Sequence, residues 1–191
     1  MYGTASEHCV FYQYLLYGAK DVYMGMVSPG EEAQVQGAGE SMADTGDLAQ
    51  LQTESPYYLP SPQAPAPFTN QIGYFNGDPD FKECPASDPH CAAAWGLMIV
   101  GSTNIHIHGA GLYNWFIDYT QDCLAKQYCQ KRVVNVRDSG QVWFYNLYTI
   151  GTWEMLNLKG SDAITAKENT NANEHPFTSI INAWLVASSG E

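Results

Sequence analysis

Basic residues are scarce: eight Lys and Arg stand against twenty Asp and Glu in 191 residues, a formal net charge of −12. A phosphate-holding surface needs clustered Lys and Arg, so nucleic acid is excluded as a partner. No run of about 18 apolar residues occurs, so no membrane span is expected. Met1 is followed by Tyr-Gly-Thr, with neither a basic n-region nor an apolar h-region, so no secretion signal is expected in this chain. The cysteine spacings contain no C-x-x-C pair, which weakens any zinc reading. Ser6 lies outside any G-x-S-x-G elbow and is set aside as a nucleophile. Convincing helical periodicity is missing too.

What is present fits one globular domain large enough for a real core: 45% hydrophobic and only 15% charged residues. Thirteen tyrosines and five tryptophans suit sugar rings, and they suit an ordinary core equally well. Five cysteines leave one odd thiol. Cys84 with Cys91 and Cys123 with Cys129 enclose short loops and read as local disulfides of a secreted protein; Cys9 reads as a buried free thiol.

A pattern of small or polar turn, Asx or Gln, then large-residue strand recurs. Gly18-Ala19-Lys20-Asp21 leads into Val22-Tyr23-Met24. Gly101-Ser102-Thr103-Asn104 leads into Ile105-His106-Ile107-His108. Asp138-Ser139-Gly140-Gln141 leads into Val142-Trp143-Phe144-Tyr145. Short strands after repeated turns suggest an all-β solenoid. A parallel β-helix fits best, because each coil buries its apolar face only against the next. Residues 1–191 are therefore read as a single, partial β-helix domain.

Residues 27–50 interrupt the pattern. They contain no aromatic residue, no Lys or Arg, four glycines and five acids. Such a segment cannot offset its ordering entropy by burial, so a disordered insertion is expected. A sharper reading is a retained intron, since Val-Ser and a terminal Gln can be encoded by splice donor and acceptor sequences and the frame is kept. The alternative is a genuine surface insertion. Residues 56–67 hold five prolines and read as a stiff, extended strap. Together with the disulfide-pinned stretch after them they make 56–91 a surface loop. Residues 92–117 return to scaffold, 161–176 read as loop, and 177–186 close the last coil.

Two carboxylates stand out. Glu54, beside Pro56, Tyr57 and Tyr58, is a candidate general acid, since desolvation raises a carboxyl pKa; a solvated turn glutamate is the bland alternative. Glu7, in Gly3-Thr4-Ala5-Ser6-Glu7-His8, is the second. Tyr57, Tyr58, Trp95, Tyr113 and Trp115 are candidates for sugar stacking, each weighed against core packing. His106 and His108 share a strand face, a metal-site spacing with nothing nearby to complete a set. Asp118, Asp122 and Glu154 also lie near aromatic residues. No cofactor is implied.

The motifs GTASEH with VFYQYLL and QTESPYY with Pro60-x-Pro62 carry a family resemblance. Trp95-Gly96-Leu97, Gly109-Ala110-Gly111-Leu112-Tyr113-x-Trp115-Phe116 and Cys123…Cys129-Gln130 continue it. In this order they resemble the C-terminal part of the second β-helix domain of fungal glycoside hydrolase family 55, the β-1,3-glucanases. The resemblance implies a right-handed, pectate-lyase-like parallel β-helix and inverting, exo-type hydrolysis of laminarin-type β-1,3-glucan. It implies Glu54 as general acid and Glu7 as a holder of the attacking water. It also implies a secreted, extracellular full-length protein and an upstream β-helix domain that is missing from this chain. Removing 27–50 joins Met24-Gly25-Met26 to Leu51-Gln52-Thr53-Glu54, as the family's pattern runs. The competing readings are a non-catalytic glucan-binding or inactive fragment, and a structural β-helix such as a spike or adhesin.

Overall fold

The structure is a computed structural model, and it describes residues 1–6, 12–27, 88–116, 120–158, 162–170 and 177–187. The fold is all-β, and among the described residues its strands form two sheets. The first sheet runs β1 (Tyr2–Thr4), β3 (Lys20–Val27), β5 (Thr103–Tyr113), β8 (Gly140–Ile150) and β11 (Thr178–Val186). The second runs β10 (Asp162–Thr165), β9 (Thr152–Leu158), β7 (Val134–Arg137), β4 (Trp95–Val100) and β2 (Tyr12–Tyr17), with β6 (Gln130–Arg132) also pairing β9. From β2 to β5 the chain alternates between the sheets strand by strand, and it alternates again from β7 to β9. Neighbours are parallel in both sheets until β10 and β11, which pair antiparallel with β9 and β8.

The recurring turns of the sequence lie in register. Lys20, Thr103 and Gly140 pair across β3, β5 and β8, and so do Val22, Ile105 and Val142. Between these rungs Asp21, Asn104 and Gln141 all take left-handed backbone, with φ of 56°, 56° and 53°. Asn104 Nδ2 donates to Asp21 Oδ1 at 2.6 Å. That explains the Asx residues, since Asn and Asp tolerate this conformation better than most others; Gln141 takes it with its side-chain oxygen 3.5 Å from Thr103 Oγ1. One step earlier sit Ala19, Ser102 and Ser139. The Ala19 amide donates to Ser102 Oγ at 3.0 Å and the Ser102 amide to Ser139 Oγ at 2.9 Å. Each of these corners is thus tied to the next.

A second left-handed column, Gly3, Met26, Gly109 and Asn146, crosses the middle of the first sheet. It shifts the in–out alternation by one residue. Ile105 and Ile107 point inward before Gly109, and Ala110 and Leu112 point inward after it; all four are buried. The same break puts Val142 and Phe144, then Leu147 and Thr149, on the inner side of β8.

Between the sheets these inward residues meet Tyr14 and Leu16 of β2, Leu97 and Ile99 of β4, Val134 and Val136 of β7 and Leu156 of β9. Phe144 is completely buried because Met24 and Ile107 stack on one side and Trp184 on the other.

Two expectations need correction. The stretch 161–176, read as loop, contains strand β10 and a one-turn helix, α1 (Ala166–Asn169). Strand β11 does not add another parallel rung; it runs back along β8 over its whole length. Ser179 Oγ donates to the Ala166 carbonyl at 3.1 Å, tying the helix to that reversed strand. Of the insertion at 27–50, residues 28–50 lie outside the described residues, as do 56–87 of the Pro-rich loop. No described helix is long and apolar enough to cross a membrane.

Candidate functional site

At one edge of the stack, opposite the serine corners, the strands are joined by longer segments. Residues 88–94, 114–116 and 120–133 gather there, and this edge carries the candidate binding residues that can be described. Its frame is a short disulfide loop. Cys123 and Cys129 are bonded as expected from their spacing. Leu124 and Ile150 pack on the bridge, and Tyr113 and Trp115 lean against the same cluster. Gly151 fits this junction at a φ of +67°, where a Cβ would collide with the Asn114 carbonyl oxygen. The Gln127 side chain accepts the Gly151 amide at 3.0 Å, and the Cys129 amide donates to the Gly151 carbonyl at 2.9 Å.

The five expected stacking residues are not equivalent. Tyr113 and Trp115 are half-buried with ring centroids 6.0 Å apart, and the Tyr113 ring lies across Gly111, where no side chain intervenes. Trp95 is only 5% exposed, and the Arg132 guanidinium covers its ring at 5.0 Å from the centroid. That is a cation–π contact in which the tryptophan is a support rather than an open platform. Tyr57 and Tyr58 lie outside the described residues, as do Glu7, Glu54, His8, Cys9, Cys84 and Asp118. Cys91 is disulfide-bonded, with a partner outside the described residues.

The edge also assembles a polar cluster not singled out from sequence. Tyr128 Oη donates to the Asp88 carboxylate, at 3.2 and 3.1 Å from its two oxygens. His90 stacks on Tyr128 with centroids 4.4 Å apart, and Trp153 meets it edge-on at 5.9 Å. Lys131 Nζ lies 3.8 Å from Asp88. Burial, then the hydrogen bond and negative charge of Asp88, push the Tyr128 phenol from its ordinary 10 up to about 12. At neutral pH it therefore stays protonated and donates to Asp88. Beneath the cluster Arg132 pairs in register with Glu154, and Arg132 Nη2 reaches the Cys91 carbonyl at 3.4 Å. Glu154 accepts from Asn157 Nδ2 at 2.8 Å, and Asn135 donates to Asn157 Oδ1 at 3.4 Å. The one local sign of this cluster was the run Asp88-Pro89-His90-Cys91; its partners come from 37 and more residues away.

His106 and His108 do share the outer face of β5, as their spacing requires. Their rings are engaged in stacking: His106 on Trp143 at 4.3 Å, and His108 between Tyr23 and Tyr145 at 5.1 and 4.6 Å.

No family model matches the chain. It is similar to the "Non-secreted LysM effector LysM15" of Penicillium expansum, 36% identical over 185 residues, which are 97% of this chain and 10% of that protein. It is similar to the "Probable glucan endo-1,3-beta-glucosidase" of Arthroderma benhamiae, 34% identical over 169 residues, 88% of this chain and 16% of that protein. A "Glucan 1,3-beta-glucosidase" of Cochliobolus carbonum is 26% identical over 175 residues, 88% of this chain and 18% of that protein. The chain thus spans between about a tenth and a fifth of the length of these relatives.

Proposed function

We propose that this chain is part of a fungal-type, secreted glycoside hydrolase of family 55 that cleaves β-1,3-glucan. Similarity over 88% of the chain to two proteins named as 1,3-β-glucosidases is the observation that carries this reading. The in-register coils support a right-handed parallel β-helix as its scaffold. In this reading Glu54 protonates the glycosidic oxygen as the bond breaks. Glu7 helps hold the water that attacks the anomeric carbon from the opposite face, so the configuration inverts. Inverting carboxyl pairs stand ~6.5–9.5 Å apart, which leaves room for that water. Tyr113 and Trp115 offer half-exposed rings on the long-loop edge for stacking, and Tyr57 and Tyr58 are the further stacking residues of this reading. Exo action is the form of cleavage proposed, with an upstream β-helix domain completing the water site.

The test is sugar release from laminarin by this chain, and by a longer protein that carries the upstream domain and lacks 27–50. Glu54→Gln is introduced into both. The expected outcome is hydrolysis by the longer protein, reduced at least ~100-fold by Glu54→Gln, the low end of what a general acid contributes. Hydrolysis unchanged by that substitution would sink the acid assignment. The 36% identity to a LysM effector favours a second reading, a non-catalytic glucan-binding or inactive segment. It predicts glucan retention that is indifferent to Glu54→Gln, with no sugar release from either protein.

A further inference from the structure

The outer face of the first sheet has a composition unlike the rest of the chain. Residues 22–27, 105–113, 142–150 and 178–186 contain no Asp, Glu, Lys or Arg, although the protein carries 28 such residues. The outward positions are instead aromatic, uncharged polar or aliphatic, with Met26 and Leu185 more than half exposed. Tyr23, His106 and Trp143 occupy one row across β3, β5 and β8, and Gly25, His108 and Tyr145 the next. Gly25 leaves space that the rings of Tyr2 and Tyr23 fill; an added Cβ would stand 3.0 and 2.9 Å from them.

The rows are stacked along the strand-to-strand direction. His106 lies nearly parallel to Trp143, at 10°, and His108 leans on Tyr145 at 4.6 Å. One face of each β8 ring is therefore covered. The opposite faces look toward β11, where the residue paired with Tyr145 is Ala183 and the one paired with Trp143 is Leu185. Ala183 is too small to cover a ring. A cleft of about 240 Å³ opens there, lined by Trp143, Tyr145, Ala183, Trp184 and Leu185.

We propose that this cleft is a saccharide-stacking subsite for a neutral glucan chain, separate from the long-loop edge that holds Tyr113 and Trp115. Flat aromatic faces bounded by uncharged polar groups suit the apolar face of a pyranose and its hydroxyl rim. Lys20 and Asp21 stand at the corner end of β3, but the rows around Trp143 and Tyr145 carry no charged residue and so offer little to a phosphate, an acidic or a basic partner. Asn146 and Asn182 stand exposed beside the rings and supply amide donors and acceptors for hydroxyl groups. Choosing glucan as the polymer rests on the reading above; the subsite itself rests on the geometry. Its role is to hold polymer against the scaffold while cleavage proceeds elsewhere.

The experiment measures retention of the 191-residue chain on insoluble β-1,3-glucan, with cellulose and starch in parallel. Trp143→Ala removes a stacking face. Ala183→Phe keeps every native ring and fills the gap, so it tests the cleft without deleting any aromatic contact; far-UV circular dichroism confirms that each variant is folded. Both variants are expected to weaken retention about tenfold, equivalent to ~1.4 kcal/mol. Retention on cellulose or starch alone, lost in both variants, upholds the subsite and overturns the choice of β-1,3-glucan. Equal retention of folded wild type and Ala183→Phe overturns the subsite, as does absence of retention on all three polymers. Concentration-dependent self-association abolished by Ala183→Phe also overturns it, since a second copy would then be the occupant. Sugar release from laminarin and its response to Glu54→Gln are scored apart from retention, which separates failure of this proposal from failure of the catalytic one.

Discussion

Replacing Ser102 by Ala removes one oxygen and should loosen two coils. The hydroxyl is 2% exposed at the residue level and works in both directions. It accepts the Ala19 amide at 3.0 Å, and its single proton is shared between the Leu16 and Val100 carbonyls at 3.1 and 3.0 Å. The carbonyl of Val100 keeps the Gly18 amide as a donor, so losing the serine proton costs little more than an ordinary hydrogen bond. The Ala19 amide is different, because it is left facing a methyl group. One lost bond at ~1 kcal/mol and one orphaned donor at ~1–2 kcal/mol give about 2–3 kcal/mol of destabilisation. In a domain of this size that lowers Tm by roughly 4–12 °C. Ser139→Ala should cost only ~1 kcal/mol, because its oxygen is nearer solvent and serves the last corner of the series. The double variant should depart from additivity by ~0.5 kcal/mol or more, since the Ser102 amide bonds Ser139 directly. Urea unfolding of the three variants decides the matter. A Ser102→Ala protein within ~0.5 kcal/mol of wild type would refute the idea that these corners tie successive turns of the chain together.

Two further outcomes follow from the long-loop edge. The Tyr128 phenol, pushed up to about 12, favours the folded state fully below pH 10 and loses that contribution as pH rises toward 12. Tyr128→Phe should therefore be about 1 kcal/mol less stable than wild type at pH 8, after allowance for solvent screening of a half-exposed group. The gap should narrow by pH 11, and a gap that widened with pH would contradict the assignment. Replacing both Cys123 and Cys129 by Ser should cost about 2 kcal/mol in urea unfolding, as for a short closed loop. It should also shift tryptophan fluorescence, since Trp115 leans on the bridge.

Much of the order of corners and strands was legible because its determinants are local. The turn residues Gly101-Ser102-Thr103-Asn104 and Asp138-Ser139-Gly140-Gln141 announce a corner by chemistry that each copy repeats. Cys123 and Cys129 are close enough in sequence to advertise their bond. The shift of alternation at Gly109 was not legible in the same way. A strict period of two running from Ile105 would carry Gly111 and Tyr113 inward, whereas a left-handed residue at 109 returns Ala110 and Leu112 to the core. The reversal of β11 was hidden for another reason: Ile180-Ile181-Asn182-Ala183-Trp184 reads the same whether its neighbour runs parallel or antiparallel. Trp95 shows the limit of residue type as a guide, because the Arg132 that covers it is 37 positions away. The polar cluster around Tyr128 has the same character. It exists only once β6 has brought Lys131 and Arg132 beside Asp88 and Cys91.

The serine corners also bear on how such a chain tolerates change in length. Ala19 and Ser102, one corner apart, are separated by 83 positions, whereas Ser102 and Ser139 are separated by 37. The rungs nevertheless match residue for residue. For a freely jointed connection the added closure entropy of the longer path is only about 0.7 kcal/mol, because it grows with the logarithm of length. A single hydroxyl at the corner outweighs it. The pitch of the stack is thus kept by a few fixed contacts on one side, while the opposite side can take up new sequence with little penalty. Ornament and framework are thermodynamically decoupled in this architecture, so long-loop segments can diverge quickly while the rungs beneath them stay in step.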